Sequence, residues 1–504
     1  VSVSDLGSIS ACFQRSEPPD AQIVESMLAA APHRGRCSKS LIHGRCVLAV
    51  GFDDDPAGRL DVADGIAVGL AGTIDNLHEL EAELASRGEA EPPTTPAGVL
   101  AATFQLYGEG TPARLRGVFA VVVSDGERLY CFRDHLGFAG LFYRVEGARV
   151  FAASEAKQVV AGARIRKEPN LDVLADVFFG SGGDTTSTAL RGVERLPKGT
   201  ILTADGDGVR QRCYWDPEPL LESARLSEDE LQPRFDELMS QAIARCLTHG
   251  DEIVSLSGGI DSPAVAAFAA PWHMELTGRP LRALSVVFPD QPSVDERPYI
   301  ELAAAQLGLE LHTFEQKVNP LDSLAEWVEL ADGPVPTGSL ALYADYYRRV
   351  RELGGRVTLS GELAEFVVDL DGYLPHHLLT HGRFAAFRGQ LRGSKWQRAL
   401  TTARVAASVL EPTSVTASRW RRRADGIPDW VDRRKANEAA AWSAVHSWRR
   451  WRTLQISPFT GRGSGLEVEE ACQAVCGVRA RRPWTDIDLW EFFLSLPAEV
   501  KLPD

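Results

Sequence analysis

Ser257-Gly258-Gly259-Ile260-Asp261-Ser262 follows an apolar run at 252–256 and precedes a helical pattern at 263–270. Strand, glycine turn and helix in that order make a backbone suited to an anion. Two glycines allow close approach of the main chain. The unpaired N–H groups that open the helix, with its dipole behind them, favour phosphate. Ser257 and Ser262 add hydroxyl donors. Asp261 repels an anion directly and makes sense as a ligand for a magnesium ion that bridges to the phosphates. The competing reading is a plain glycine turn of an α/β protein. The string is not Gly-x-x-x-x-Gly-Lys-[Ser/Thr], so it is not the ordinary P-loop.

Working outward, the period of the sequence changes near residue 216. Residues 1–215 read as short alternating strands at 46–52, 65–70, 117–124, 128–133, 141–145 and 149–152, with amphipathic helices at 21–31 and 76–87. Strands with helices outside them predict a layered sandwich. A polar, proline-containing stretch at 216–229 reads as the joint. After it, helix 230–248, strand 252–256, helix 263–270, strand 281–288, helix 296–307 and strands 310–314 and 356–359 alternate, which predicts a doubly wound parallel sheet over 230–504. Residues 374–455 read as largely helical and are rich in arginine and tryptophan.

The bulk numbers exclude several classes. A chain of 504 residues is more than one core usually serves. A net charge of −15 argues against a nucleic-acid binder. No apolar run reaches the ~20 residues needed to span a bilayer, and no secretory signal opens the chain, so no membrane role is expected. Eight scattered cysteines form no zinc spacing and read as reduced thiols of a cytoplasmic enzyme.

The hexapeptide resembles the pyrophosphate signature of the ATP-pyrophosphatases, and its surroundings resemble the asparagine synthetase superfamily over nearly the whole chain. That resemblance implies ATP and Mg2+, with cleavage between the α and β phosphates to give an acyl-adenylate and pyrophosphate. It places Leu256, Ser257, Gly258, Gly259, Ile260, Asp261, Ser262, Ser285, Val286 and Gly361 at the nucleotide. Ser360-Gly361-Glu362-Leu363-Ala364-Glu365-Phe366 resembles the family's Ser-Gly-Glu-Gly-Ala-Asp-Glu. It implies Glu362 and Asp261 as catalytic residues, with Asp261 and Glu365 on the metal. Glu365 stands for an aspartate, Leu363 for a glycine and Phe366 for a glutamate. Asp295 and Glu296 match an acidic pair that either caps a helix or holds a substrate. The run from Gly477 to Asp486, with Arg481 and Pro483, resembles Gly-[Val/Leu]-Glu-x-Arg-x-Pro-Phe-Leu-Asp and reads as structural. The family carries a catalytic lysine further on, and no lysine is assigned to that role here.

The first part resembles the N-terminal-nucleophile glutaminases, an αββα fold, through His33-Arg34-Gly35, Gly72 to Leu80, Arg133 to Gly137 and Ser154 to Lys157. Those enzymes need a cysteine whose own α-amine is the base. Gly7 stands at that place, and Cys12 falls inside a strand. Ala71-Gly72-Thr73 replaces Asn-Gly-Glu, and Thr94-Thr95 replaces Ser-Asp. The expectation is a domain that makes no ammonia.

Loss of the glutaminase is shared by β-lactam-forming synthetases and lasso-peptide cyclases, which close a ring with an amine of the same substrate. An internal amine gains effective molarities of ~10⁵ M or more. The β-lactam branch carries a tyrosine where this chain has Glu362, so the reading favours a peptide macrolactam. The expected partners are a peptide or small carboxylate substrate, with a leader-peptide recognition protein and a leader protease. Arg419 to Arg423, Trp420, Trp430, Trp442 and Trp448 to Trp451 would line a peptide groove or form a solvated helical face. An ammonia-dependent asparagine synthetase and a non-catalytic scaffold remain alternatives.

Overall fold

The computed structural model describes residues 6–16, 18–53, 58–87, 93–179, 186–247, 250–319, 321–335, 340–365, 374–412, 415, 465–497 and 500–501. Phe366 and the arginine–tryptophan run at 419–451 lie outside the described residues.

Twelve strands build the first domain: β1 (Ser8–Gln14), β2 (Cys37–His43), β3 (Cys46–Phe52), β4 (Leu60–Ala63), β5 (Ile66–Ile74), β6 (Gly117–Ser124), β7 (Leu129–Arg133), β8 (Phe142–Glu146), β9 (Arg149–Ala153), β10 (Glu194–Arg195), β11 (Thr200–Ala204) and β12 (Val209–Cys213). They form two six-stranded sheets, ordered β10-β8-β9-β1-β3-β2 and β12-β11-β7-β6-β5-β4. Successive strand side chains point to opposite faces. On β5 and β6, Ala67, Ala71, Ala120 and Val122 therefore enter the core between the sheets. Their neighbours Val68, Leu70, Phe119 and Val121 pack outward under helices Leu77–Ser86 and Pro96–Tyr107. Helices Ala21–Ala29 and Ala156–Ala163 cover the other sheet. Four layers result, αββα, as the resemblance implied.

Three helices of this domain were not legible: Pro96–Tyr107, Ala156–Ala163 and Leu171–Phe179. The first buries Ala97 through Phe104 without interruption. A helix covered on all sides carries no amphipathic period, so the periodic signal was missing.

The second domain holds β13 (Glu252–Ser255), β14 (Arg282–Val287), β15 (Glu310–Glu315), β16 (Val357–Leu359) and β17 (Arg479–Arg481), all parallel, in the order β15-β14-β13-β16-β17. The doubly wound sheet expected from the alternation is the sheet observed. One face packs on helices Glu228–Cys246, Asp261–Thr277 and Ile487–Ser495, the other on Leu340–Glu352 and Gly465–Cys476. The helix expected at 263–270 runs further, from Asp261 through Pro271 to Thr277, and ends at Gly278 with φ +68. The stretch read as a joint is tied down: Glu222 N donates to Leu494 O (3.1 Å) and Ala224 N to Ser495 O (2.9 Å). Leu136, Phe138 and Trp215 of the first domain share a core with Ile487, Trp490 and Leu494 of the second. Among the described residues no helix is long and apolar enough to cross a membrane.

Candidate active site

Strand order reverses at β13, with β14 on one side and β16 on the other. In open α/β sheets the crevice beyond the carboxyl ends at such a point is where ligands bind. Here it receives the 257–262 loop after β13 and the 360–365 loop after β16, two segments nearly a hundred residues apart in sequence.

The first loop is held by its own serines. Ser257 N donates to Ser262 Oγ at 2.9 Å, and the two hydroxyls share a hydrogen bond of 2.9 Å. A Cβ on Gly258 would stand 2.7 Å from the Cβ of Glu296. Gly258 N donates to Glu296 Oε2 (2.9 Å), while Asp295 Oδ1 accepts from Phe288 N (3.1 Å). Of the acidic pair, then, Glu296 serves the phosphate loop, and although it occupies the N-cap position its side chain does not cap the helix. A Cβ on Gly259 would meet nothing nearer than Ser257 Oγ at 3.5 Å, so this glycine faces open space. Ile260 is exposed. Asp261 opens the helix half-buried, and burial raises its carboxyl above the usual range. An exposed glycine, two hydroxyls, a helix N-terminus and a half-buried carboxylate are a set of groups that fits phosphates with a divalent cation.

Leu256 and Ser285 are buried, and Ser285 Oγ donates to Leu256 O at 2.8 Å. This side-chain-to-backbone bond, with Leu256 N donating to Leu284 O (3.2 Å), ties the ends of β13 and β14 together. Val286 is half-buried beside them.

Gly361 explains how the loops meet. A Cβ there would lie 2.4 Å from Ser262 N and 2.7 Å from Asp261 C. Next to it, Glu362 N donates to Ser360 Oγ (3.1 Å). The Glu362 carboxylate accepts from Tyr343 Oη (3.3 Å) and from Arg482 Nε (3.0 Å). Its side chain keeps 39% of its surface open to solvent. Burial works against the Arg482 charge, but the carboxylates of Glu469 and Glu362 outweigh it and hold the guanidinium protonated. Burial, with the Glu362 charge, pushes the Tyr343 phenol up, so it stays a donor. Leu363, which stands where the resemblance expects glycine, takes φ +74, a left-handed conformation costly for a side-chain-bearing residue. Glu365 is exposed at the end of the described segment.

Arg482, Tyr343 and Glu469 were missed as members of the site, as was Trp484, whose Nε1 donates to Asp261 O (3.3 Å). A basic residue just past a parallel strand's carboxyl end was the available signal for Arg482.

In the first domain, the nucleophile's place is filled. Gly7 sits at φ +60, and a Cβ there would stand 2.9 Å from Arg59 Nη1 and 3.0 Å from Gly51 O. Arg59 is 1% exposed. Thr73 Oγ1 accepts from Arg481 Nη1 (2.8 Å), and Asp75 pairs with the same guanidinium (2.6 Å). Thr95 caps the helix that follows it through Gly98 N (3.1 Å). Burial pushes the Cys12 thiol up to about 12, which leaves it inert. A cavity of about 420 Å³ remains, lined by Arg59, Gly72, Thr73, Asp75, Arg245 and Arg481 among others.

These features define a class: a glutaminase-like αββα sandwich packed on a doubly wound parallel sheet that carries a glycine loop at its switch point. Residues 6–215 match the glutamine amidotransferase domain family and 234–504 the asparagine synthase family. The chain is 27% identical over 459 residues to the glutamine-hydrolysing asparagine synthetase 3 of Bacillus subtilis (strain 168), covering 86% of this chain and 70% of that one. It is 27% identical to the amidase chyE of Penicillium rubens over 53% of this chain and 42% of that protein. It is 33% identical to the carboxyethyl-arginine beta-lactam-synthase of Streptomyces clavuligerus over 40% of this chain and 36% of that enzyme. It therefore spans less than half the length of the last two. The chain belongs to the asparagine synthase family, whose members are ATP-dependent ligases that form carbon–nitrogen bonds.

Proposed function

We propose that this chain adenylates a carboxylate with ATP and closes an intramolecular amide, with a peptide macrolactam of the lasso-peptide kind as product. The observation that carries the reading is the pairing of a glycine loop at the switch point with a glutaminase-like pocket in which Gly7 stands at the nucleophile's place and Arg59 fills the space beside it. An enzyme that makes no ammonia takes its amine from elsewhere, and a tethered amine benefits most from proximity.

A carboxylate oxygen of the substrate attacks the α-phosphorus of ATP, and pyrophosphate leaves with the bonding pair. The substrate amine then attacks the acyl carbon, and AMP leaves from it. Ser257, Gly259, Ser262 and the helix start at Asp261 hold the phosphates. Asp261 and Glu365 would hold a magnesium ion, which would supply charge neutralisation to the phosphates. Glu362 orients the amine and takes the proton it sheds, steadied by Tyr343 and Arg482.

Glutamate rather than tyrosine at 362 supports the peptide over the β-lactam. The similarity to a β-lactam synthase supports a second reading, closure of a small β-amino acid. Mass spectrometry separates them. With ATP, magnesium, a leader protease and a leader-recognition protein, a peptide bearing an Asp or Glu side chain and a free α-amine is expected to lose one water while AMP accumulates. Glutamine is expected to yield no glutamate. Closure of a small β-amino acid, or conversion of aspartate and ammonia to asparagine, would overturn the macrolactam assignment.

A further inference from the structure

Helix Gly465–Cys476 carries three glutamates that point in two directions. Glu467 accepts from Arg195 Nε (2.6 Å) and Arg133 Nη1 (3.3 Å), both in the first domain. Glu470 is gripped there by Arg34 Nη1 (3.2 Å) and Nη2 (3.3 Å) and by Gly140 N (3.0 Å). Arg34 is itself anchored by Glu155. Glu469 faces the other way. It accepts from the Tyr347 hydroxyl and from Gln473 Nε2 (3.1 Å) and pairs with Arg482, whose Nε is the group that holds Glu362.

All the charged groups between Arg34 and Arg482 are buried or nearly so. Buried ion pairs are a weak source of stability, since apolar residues of similar volume often do as well. What such a chain of pairs does supply is position: none of its members moves without leaving a partner's charge unmatched in a low-dielectric setting. Glu362, on a loop and partly exposed, is the one member that needs placing from outside.

We infer that the first domain, silent as a glutaminase, acts as a brace for Glu362. Its arginines fix helix Gly465–Cys476, and Glu469 passes that constraint to Arg482 as a positioning residue. The inference rests on Glu362 being the group at the reacting amine.

The test uses the full chain and four variants: Glu469→Gln, Glu470→Gln, Glu467→Gln and Arg116→Gln. Arg116 pairs with Asp488 across the same two domains but away from this helix (2.8 Å). Hydrogen exchange of the 360–365 amides, which needs no substrate, is expected to quicken about tenfold or more in the three glutamate variants and to stay unchanged in Arg116→Gln. With ATP, magnesium and whichever of a side-chain-carboxylate peptide, a β-amino acid or aspartate plus ammonium the wild type converts, kcat is expected to fall about tenfold with KM for ATP within about twofold. Glu469→Asp is expected to recover part of the loss, and it replaces Glu469→Gln should that variant not fold. Unchanged exchange at 360–365, or equal quickening in Arg116→Gln, overturns the brace. A wild type that converts none of these substrates, with the exchange pattern as expected, overturns the functional reading and leaves the mechanical coupling standing.

Discussion

At the scale of single residues, position 7 and position 261 decide opposite things. The missing carbon at Gly7 leaves room that Arg59 takes, so a side chain introduced there would press on a buried guanidinium and on Gly51 O from a left-handed backbone position. Asp261 is partly desolvated at a helix start, where a carboxylate is useful to a cation and unhelpful to a bare anion. Asp261→Asn is therefore expected to abolish magnesium-dependent pyrophosphate release while the fold and the backbone anion donors persist. Glu365→Gln is expected to act in the same direction. Pyrophosphate assays beside far-ultraviolet circular dichroism check both. Undiminished release from Asp261→Asn would remove it from the metal site. Wild-type release from Glu365→Gln would move the second ligand to another acid, with Asp369, outside the described residues, next to try.

The elements matter through how closely they approach. Gly361 abuts the first turn of helix Asp261–Thr277, and an added methyl would lie inside contact distance of Ser262 N. Gly361→Ala is expected to part the two loops, costing about 1–3 kcal/mol of stability and weakening ATP binding at least about tenfold. Denaturant melts and nucleotide titration measure these effects, and an unchanged affinity would mean the loops bind independently. The strand–glycine–helix grammar around 257–262 was open to sequence reading because turn chemistry is local. The meeting of Gly361 with Ser262 was not, since strand order in a parallel sheet is settled by crossovers that leave no local mark. Arg482 stayed hidden for a related reason. Its role depends on Glu469 and Glu362, one thirteen residues back and the other on the loop that follows β16.

Across the whole molecule, the two domains are joined by buried charge as much as by the shared apolar cluster. Burial would raise the Glu467 carboxyl, but Arg195 and Arg133 more than reverse this and hold it below 4.5. Glu155 is likewise held down, against burial, by Arg34, His33 and Lys157. Carboxyls depressed in the folded state contribute stability above their unfolded values and lose it as pH falls through the folded ones. Asp486 works the other way, because burial raises it. The expected result is that Glu467→Gln is less stable than wild type by about 3 kcal/mol near neutrality. That gap should narrow as pH drops below 4.5 towards the folded-state value. Denaturant melts across pH, followed by the fluorescence of Trp215 and Trp490, check this, and a gap that does not vary with pH would dissociate Glu467 from the acid response.

By itself the sequence determined the two-domain plan with its αββα and doubly wound layers, and it supplied the motifs from which a phosphate loop and an absent nucleophile are proposed. Each is written in residues close together in the chain, through strand alternation, helix period, turn glycines or a motif. Only the tertiary structure decided that Arg59 fills the space beside Gly7 and that Glu296 serves the loop rather than capping its helix. It alone joined Glu362 to Arg482 and, through Glu469, to the first domain. Those are contacts between residues distant in the chain, and a side chain's partner is fixed by where the packed fold brings it, which no local pattern encodes.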